Sequence, residues 1–107
     1  MANTLKLVES PSGTGHLVPK GGGEDVEVRY RLFVYRKMLD AGNGEYIPGM
    51  LQIQGEIYKP GDAIFTIQNV GKYFTLSLED GRRLDFFFRD QDGSIANNGP
   101  GLYSNPA

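Results

Sequence analysis

The residues of this chain that could do chemistry are few and widely spaced. There is one His and no Cys, which excludes disulfides, thiolate metal sites and metal sites built from several histidines. His16 lies in a Gly-rich stretch, where a solvated imidazole is expected rather than a catalytic base, and the five serines lack the nucleophile-elbow context. We therefore expect no catalytic residues, no metal and no cofactor, which favours a non-enzymatic function.

One short motif is similar to the middle of a calcium-binding loop. The sequence DQDGSI, Asp90 to Ile95, has the D-x-D-G-x-I spacing of an EF-hand. In that register the first ligand position is Phe88 and the closing glutamate is replaced by Gly99, so both anchoring ligands are missing. Asp and Gly are also the residues that a tight turn requires. The motif is therefore interpreted as a hairpin turn.

Asp85 is the carboxylate with the most apolar neighbours in the sequence, because Leu84 precedes it and Phe86 follows it. The strand pairing described below places it opposite Thr75, on the same outward face as Arg83. A general acid or base needs burial and a reacting partner. This position offers the reverse environment, and Asp85 is interpreted as an outward, paired residue.

The only uninterrupted basic stretch is RYRLFVYRK, from Arg29 to Lys37. Arginines interleaved with Phe33 and Tyr35 on an exposed strand are typical of domains that bind single-stranded nucleic acid. The alternative is that Arg29 and Arg31 pair with acidic neighbours while the two rings cover the back of a bent strand. The formal net charge is −2, and nucleic-acid binders usually carry a basic excess. The charge therefore favours the alternative and argues against nucleic acid as a partner.

The stretch that must organise these residues is KYFTLSLEDGRRLDFFF, in which two runs of alternating apolar and polar residues flank a Gly. A three-residue turn ending at Gly81 pairs Leu76 with Leu84 and Phe74 with Phe86, apolar against apolar. A two-residue turn would set each apolar residue against the mixed face of the second strand. Side-chain alternation therefore predicts a hairpin with the longer turn.

Other segments alternate in the same way and are also predicted to be strands. They are Thr4–Val8, Val26–Leu39, Glu45–Tyr58, Ala63–Gln68 and a short strand that pairs Ile95 with Phe88. The second of these exceeds the length of an ordinary strand, so we expect it to bend or to carry a bulge. Two segments rich in Gly and Pro are predicted differently: a flexible loop at about 10–25, with at most brief pairing at 16–18, and a turn-rich C-terminal arm at about 97–107.

These elements predict an all-β fold within a single domain of 107 residues. Six to eight strands with one apolar face each, and no helix to cover them, are expected to form a small antiparallel meander that rolls into a β-barrel. A β-sandwich is the alternative.

The leading functional hypothesis is a non-enzymatic domain that binds an apolar or aromatic small molecule inside the barrel. Aromatic residues fall on the inward faces, and Gly55 could open space beside them. The expected ligand-binding residues are Tyr30, Ile53, Phe65, Phe74 and Phe86.

An alternative hypothesis is a protein-interaction or homodimerisation module, because Phe87 points outward on the predicted hairpin. Its expected interaction surface comprises Arg29, Arg31, Phe33, Tyr35 and Phe87. The third hypothesis is single-stranded nucleic-acid binding by Arg29, Arg31 and Tyr35.

The first residues, MANTLKLVESPSG, contain no apolar run of signal-peptide length, and no segment approaches the length of a membrane span. We expect a cytoplasmic protein without a membrane partner.

Overall fold

The computed structural model describes residues 4–19, 25–42, 44–62, 64–99 and 101–104. These residues form eight strands and one short helix. The strands are β1 (Thr4–Glu9), β2 (Ser12–Pro19), β3 (Val26–Asp40), β4 (Tyr46–Tyr58), β5 (Tyr73–Ser77), β6 (Arg82–Phe88), β7 (Ser94–Asn97) and β8 (Tyr103–Ser104), and the helix is α1 (Phe65–Gln68). The all-β class expected from the sequence is confirmed.

The hairpin of β5 and β6 has the register that side-chain alternation predicts. Phe74 lies opposite Phe86 and Leu76 opposite Leu84. The Leu78 amide donates to the Arg82 carbonyl at 2.8 Å, so the turn between them has three residues. Gly81 ends this turn with φ of 90°, a left-handed conformation that Gly adopts without a steric penalty.

Six of the strands close a ring of backbone hydrogen bonds in the order β3-β2-β5-β6-β7-β4 and back to β3. All of the named pairings are antiparallel, which makes the sheet barrel-like. Four of the six ring contacts join strands that follow one another in the chain. The other two, β2 with β5 and β4 with β7, complete the ring.

The interior of the ring is filled by apolar side chains from every ring strand. Phe86 and Phe88 are fully buried, and their ring centroids lie 5.3 Å apart. Phe74 lies within 6 Å of both of them, and Phe65 packs against Phe88 at 6.1 Å. These aromatic contacts, surrounded by buried Leu, Ile and Val side chains, form one packed core.

The flexible loop predicted at about 10–25 is wrong for residues 12–19, which form β2. This strand pairs with β3 on one side and with β5 on the other, and Leu17 is completely buried. Gly15 suits the close approach of β5, because a Cβ at this position would overlap with the backbone oxygen of Ser77. Pairing on both edges stabilises a segment whose composition alone is typical of a loop. Residues 20–24 lie outside the described part of the chain.

The strand predicted at Ala63–Gln68 is also wrong, because Phe65–Gln68 forms one helical turn. Phe65 still enters the core, whereas Ile64 and Ile67 remain exposed. A short apolar run does not distinguish a strand from a helical turn by its periodicity, and Ala63 lies outside the described residues.

The predicted C-terminal arm begins within β7 and returns to the sheet through β8. Tyr103 lies opposite Arg83 of β6, and Leu102 packs against the core. Residues 100 and 105–107 are not described.

Strands β3 and β4 are longer than the ring requires. β2 pairs with β3 only as far as Arg31, and β7 pairs with β4 only from Gln54 to Glu56. The remaining half of β3 continues beyond the ring between β4 and β1. We call this three-stranded part, Thr4–Leu7, Tyr35–Asp40 and Tyr46–Gln52, the extension. It projects by roughly 20 Å, at about 3.3 Å per residue.

Candidate functional site

The five side chains expected to line an interior ligand pocket belong to the packed core. Tyr30, Ile53, Phe65, Phe74 and Phe86 are all buried. The clefts that reach two of them, Phe74 and Tyr30, are also lined by exposed residues such as Lys72 and Arg29, so these clefts open at the surface. An interior ligand would have to displace rings that already contact one another.

The missing side chain of Gly55 does not leave a gap in this core. A Cβ at this position would overlap with the carbonyl oxygen of Arg31 and lie 2.9 Å from the Cα of Leu32. Of the two roles that an inward Gly can have, extra space or close approach of two backbones, the structure shows the second.

The five residues expected to form an interaction surface do not all lie together. A lateral row of directly opposed residues runs around the outside of the ring from Phe33 through Gln54, Ala96 and Phe87 to Tyr73. Phe87 is therefore three strand steps, roughly 14 Å, from Phe33. Its ring packs instead against Tyr73, with centroids 5.8 Å apart. The predicted patch that joins Phe87 to Phe33 or Tyr35 is wrong, because β6 lies across the ring from β3.

Tyr35 lies at the beginning of a larger apolar surface. Leu7 of β1 lies directly opposite Tyr35. Further along the extension, Leu39 of β3 lies opposite Ile47 of β4. Alternation along the strands places Leu5 and Met50 on the same side. We call the side carrying these residues, Leu5, Leu7, Tyr35, Leu39, Ile47 and Met50, the outward face of the extension. It continues the outer surface of the ring.

The outward face is exposed to an unusual degree for apolar side chains. Leu5, Leu7, Leu39, Ile47 and Met50 are between 38% and 75% exposed. Lys37, opposite Leu5, is the one charged residue that alternation places among them, and its aliphatic stem adds apolar surface while its ammonium can reach the rim. The described residues leave this face uncovered.

Several contacts hold β1 in place beside β3. Arg82 donates two hydrogen bonds, of 2.7 and 3.0 Å, to the carboxylate of Glu9 at the end of β1. The hydrogen bonds from Arg82 hold the pKa of Glu9 below its usual value. The Leu32 amide donates to the carbonyl of Pro11, and the Ser10 hydroxyl donates to the Leu32 carbonyl. The extension is thereby tied to the ring.

A bulge shapes the other side of the extension. Between Arg36 and Met38 the partner strand advances from Leu51 to Pro48, so β4 contributes one more residue than β3. The sequence predicted that the long strand β3 would itself bend or carry a bulge, but the extra residue lies in its partner, β4. The extra residue reverses the alternation beyond Met50 and so places Ile47 on the outward face as well.

Arg29 and Arg31 lie on the outer surface of the ring half of β3. Arg29 is opposite Tyr58 and Arg31 is opposite Glu56. The guanidinium carbon of Arg31 lies 5.6 Å from the centroid of the Phe33 ring. The ion pairs among the described residues involve Lys59 and Arg82, so neither Arg29 nor Arg31 is paired with a described carboxylate. The expectation that both would pair with acidic neighbours is wrong for this part of the chain.

Asp85 lies on the outward face of β6, as predicted. Its Oδ1 accepts hydrogen bonds from the hydroxyls of Thr75, at 2.7 Å, and Tyr103, at 3.0 Å. Burial and the hydrogen bond to Asp85 raise the pKa of the Tyr103 phenol. These contacts fasten β8 to the sheet and assign a structural role to Asp85.

The described residues contain no group of three or more His, Asp or Glu side chains arranged to hold a metal ion. In the DQDGSI segment, Oδ1 of Asp90 accepts hydrogen bonds from the amides of Asp92 and Ser94, which is the turn geometry expected from the sequence. Within the described residues, no helix has the length and apolar character needed to cross a membrane.

No protein-family model, no curated protein and no solved structure matches this chain. The contacts and exposed surfaces of the described residues therefore carry the functional argument.

Proposed function

We propose that the protein is a non-enzymatic interaction module that forms a homodimer through the outward face of the extension. The observation that carries this proposal is the exposure of Leu5, Leu7, Leu39, Ile47 and Met50 on one side of one three-stranded sheet. Scattered single apolar residues are ordinary on protein surfaces, whereas a contiguous group of them marks an interaction site.

The size of this surface fits a dimer interface. At roughly 180 Å² for a fully exposed side chain of this size, the five residues together expose on the order of 500 Å² of apolar surface. A twofold axis would use the same face on both protomers and so bury about 1,000 Å² in total. This reaches the lower range of specific interfaces before the rim residues are added.

The shape and charge of the face favour a second copy over a different partner. A sheet face packs well on another sheet face, at about 10 Å separation. The face carries one charged residue, Lys37, so it offers no pattern of charges that would select an acidic or basic partner. An identical apolar sheet is the simplest complementary surface.

Sedimentation velocity over a concentration series tests the proposal. The wild type should sediment as a dimer at high concentration, and Ile47→Glu should weaken dimerisation by about tenfold or more, because it buries an unpaired carboxylate in the interface. The matched control is Ile67→Glu on α1, where the side chain is equally exposed but far from the extension. A wild type that stays monomeric throughout, or equal effects of the two variants, would refute it.

Two expectations from the sequence remain predictions beside this proposal. Binding of an apolar small molecule by Tyr30 and its core neighbours would be detected as methyl or ring shifts in a fragment titration. A cytoplasmic location would be tested by cell fractionation.

A further inference from the structure

A second surface feature lies outside the proposed dimer interface, on the ring half of β3. It is a cleft of about 470 Å³ between β2, β3 and β4, lined by Ser12, Arg29, Arg31, Glu56 and Tyr58 among others. None of these residues belongs to the extension, so the cleft is independent of the face assigned to dimerisation.

Two guanidinium groups dominate the cleft. Arg29 and Arg31 are two positions apart on one strand, so their side chains leave the same face with Cα atoms about 7 Å apart. Both are exposed, and neither forms an ion pair with a described residue. Phe33 lies beneath the guanidinium of Arg31 at 5.6 Å, which restricts its position. Paired and partly ordered guanidinium groups suit the oxygens of a phosphate, which they can bind through several hydrogen bonds.

The other lining groups add two further chemical properties. Tyr58 lies directly opposite Arg29 and is 50% exposed, so its ring is free to stack on a planar group. Glu56 lies directly opposite Arg31, and a carboxylate at this position can accept hydrogen bonds from hydroxyl groups. Anion binding, stacking and hydroxyl recognition are thus available within one cleft.

Acidic residues on three sides limit the size of the ligand. Glu27 is next to Arg29 on the same face of β3, and Glu56 is beside Arg31 on β4. On the β2 side, the Glu79 carboxylate accepts a hydrogen bond from the Thr14 amide. A long polyanion crossing the cleft would meet several of these carboxylates in turn, whereas a single phosphate held by the two arginines would lie close to fewer of them.

We propose that the cleft binds a small phosphate monoester that carries a planar ring and hydroxyl groups, as in a nucleoside monophosphate. The phosphate lies between Arg29 and Arg31, the ring stacks on Tyr58, and Glu56 accepts hydrogen bonds from the hydroxyl groups.

The test is a titration of the isotopically labelled full chain with adenosine monophosphate, followed by amide NMR. Inorganic phosphate, adenosine and a short oligothymidylate are titrated separately. The variants are Arg29→Gln, Arg31→Lys and Tyr58→Leu, and Arg89→Gln is the matched control because Arg89 is exposed and follows β6 across the ring. Arg31→Lys retains the charge but loses the planar donor geometry, so it tests the same site with little risk to the fold.

Adenosine monophosphate should shift the amides of Arg29, Arg31 and Tyr58. Affinity should fall by about tenfold or more in Arg29→Gln and remain unchanged in Arg89→Gln. Tyr58→Leu should weaken binding of adenosine monophosphate but not that of inorganic phosphate. No shifts at millimolar adenosine monophosphate, or equal affinities for Arg29→Gln and Arg89→Gln, would overturn the proposal. Tighter binding of oligothymidylate at the same residues would also overturn it, in favour of single-strand binding.

Discussion

Replacement of Gly55 by Ala tests the close approach of β3 to β4 at this position. The added Cβ would overlap with the carbonyl oxygen of Arg31 and lie 2.9 Å from the Cα of Leu32. These are backbone atoms of β3, so the overlap cannot be relieved by rotating a flexible side chain. Gly55 also has φ of 144°, a conformation that residues with a side chain rarely adopt.

The two penalties can be separated with a control at Gly99. This residue has φ of 149°, and a Cβ added to it would meet no atom within 4 Å. Gly99→Ala should therefore cost only the conformational strain, about 1–3 kcal/mol. Gly55→Ala should cost a further 1–3 kcal/mol or more, because β3 and β4 must move apart. The summed loss, roughly 2–6 kcal/mol, is a substantial part of the 5–15 kcal/mol that ordinarily stabilises a domain.

Urea denaturation followed by circular dichroism measures both losses in free energy of unfolding. The variants must be compared at one protein concentration, because the proposed dimerisation would make apparent stability depend on concentration. An additional loss of about 2 kcal/mol in Gly55→Ala corresponds to a melting temperature roughly 8–16 °C below that of Gly99→Ala. If the two variants agree within about 0.5 kcal/mol, the close approach of β3 to Gly55 is refuted.

Three further predictions concern the core and the ionisable groups. Phe86→Ala removes a completely buried ring and should lower the free energy of unfolding by roughly 3–5 kcal/mol in urea; a loss below about 1 kcal/mol would contradict the packed interior. Arg82 lowers the pKa of Glu9 below 4.5. The stability that this ion pair contributes is therefore present above the pKa of Glu9 in the unfolded chain, and it is lost as the pH falls through the pKa of Glu9 in the folded protein. Urea midpoints measured from about pH 5 to pH 3 should therefore fall more steeply in the wild type than in Arg82→Gln, and equal slopes would be contrary evidence. Burial raises the pKa of Tyr103 above 10.0. The stability linked to this raised pKa is present below the pKa of Tyr103 in the unfolded chain and is lost as the pH rises through its pKa in the folded protein. Tyr103→Phe should remove a late phase from the ultraviolet titration of the tyrosines, and a loss of amplitude from the main phase instead would argue against the contact with Asp85.

The best-predicted part of the fold is the hairpin, because its register depends on local alternation. A shift of one residue would have exposed Leu84 and Phe86 to water, so the pattern left one acceptable pairing. The same reasoning correctly paired Phe88 with Ile95. Alternation specifies which face a residue occupies, and these contacts need nothing more.

The parts that could not be predicted depend on pairing between distant segments. The composition of β2 is that of a loop, and it becomes a strand only because β3 and β5 supply hydrogen bonds on both of its edges. The prediction that Phe87 lies near Phe33 or Tyr35 was wrong for a related reason. The outward face of Phe87 follows from alternation, but its distance from Phe33 depends on the order of strands around the ring. A single sequence therefore indicates which side of a strand a residue occupies more reliably than it indicates which strands pair with each other.

Both candidate surfaces depend on the register of β3 with β4. The sequence indicated that Arg29, Arg31, Phe33 and Tyr35 lie outward, but not that Arg29 is opposite Tyr58. The outward face of the extension likewise depends on the bulge opposite Lys37, which sets where Ile47 lies. A bulge adds one residue and reverses the alternation beyond it, and its position is not evident in the sequence.

The most direct test of the proposed dimer is isotope-filtered NMR on a mixture of labelled and unlabelled protomers. Contacts between protomers should appear among the methyl groups of Leu5, Leu7, Ile47 and Met50, and they should disappear in Ile47→Glu. A dimer whose intermolecular contacts lie elsewhere, or the absence of any such contacts at high concentration, would contradict the assignment of this face.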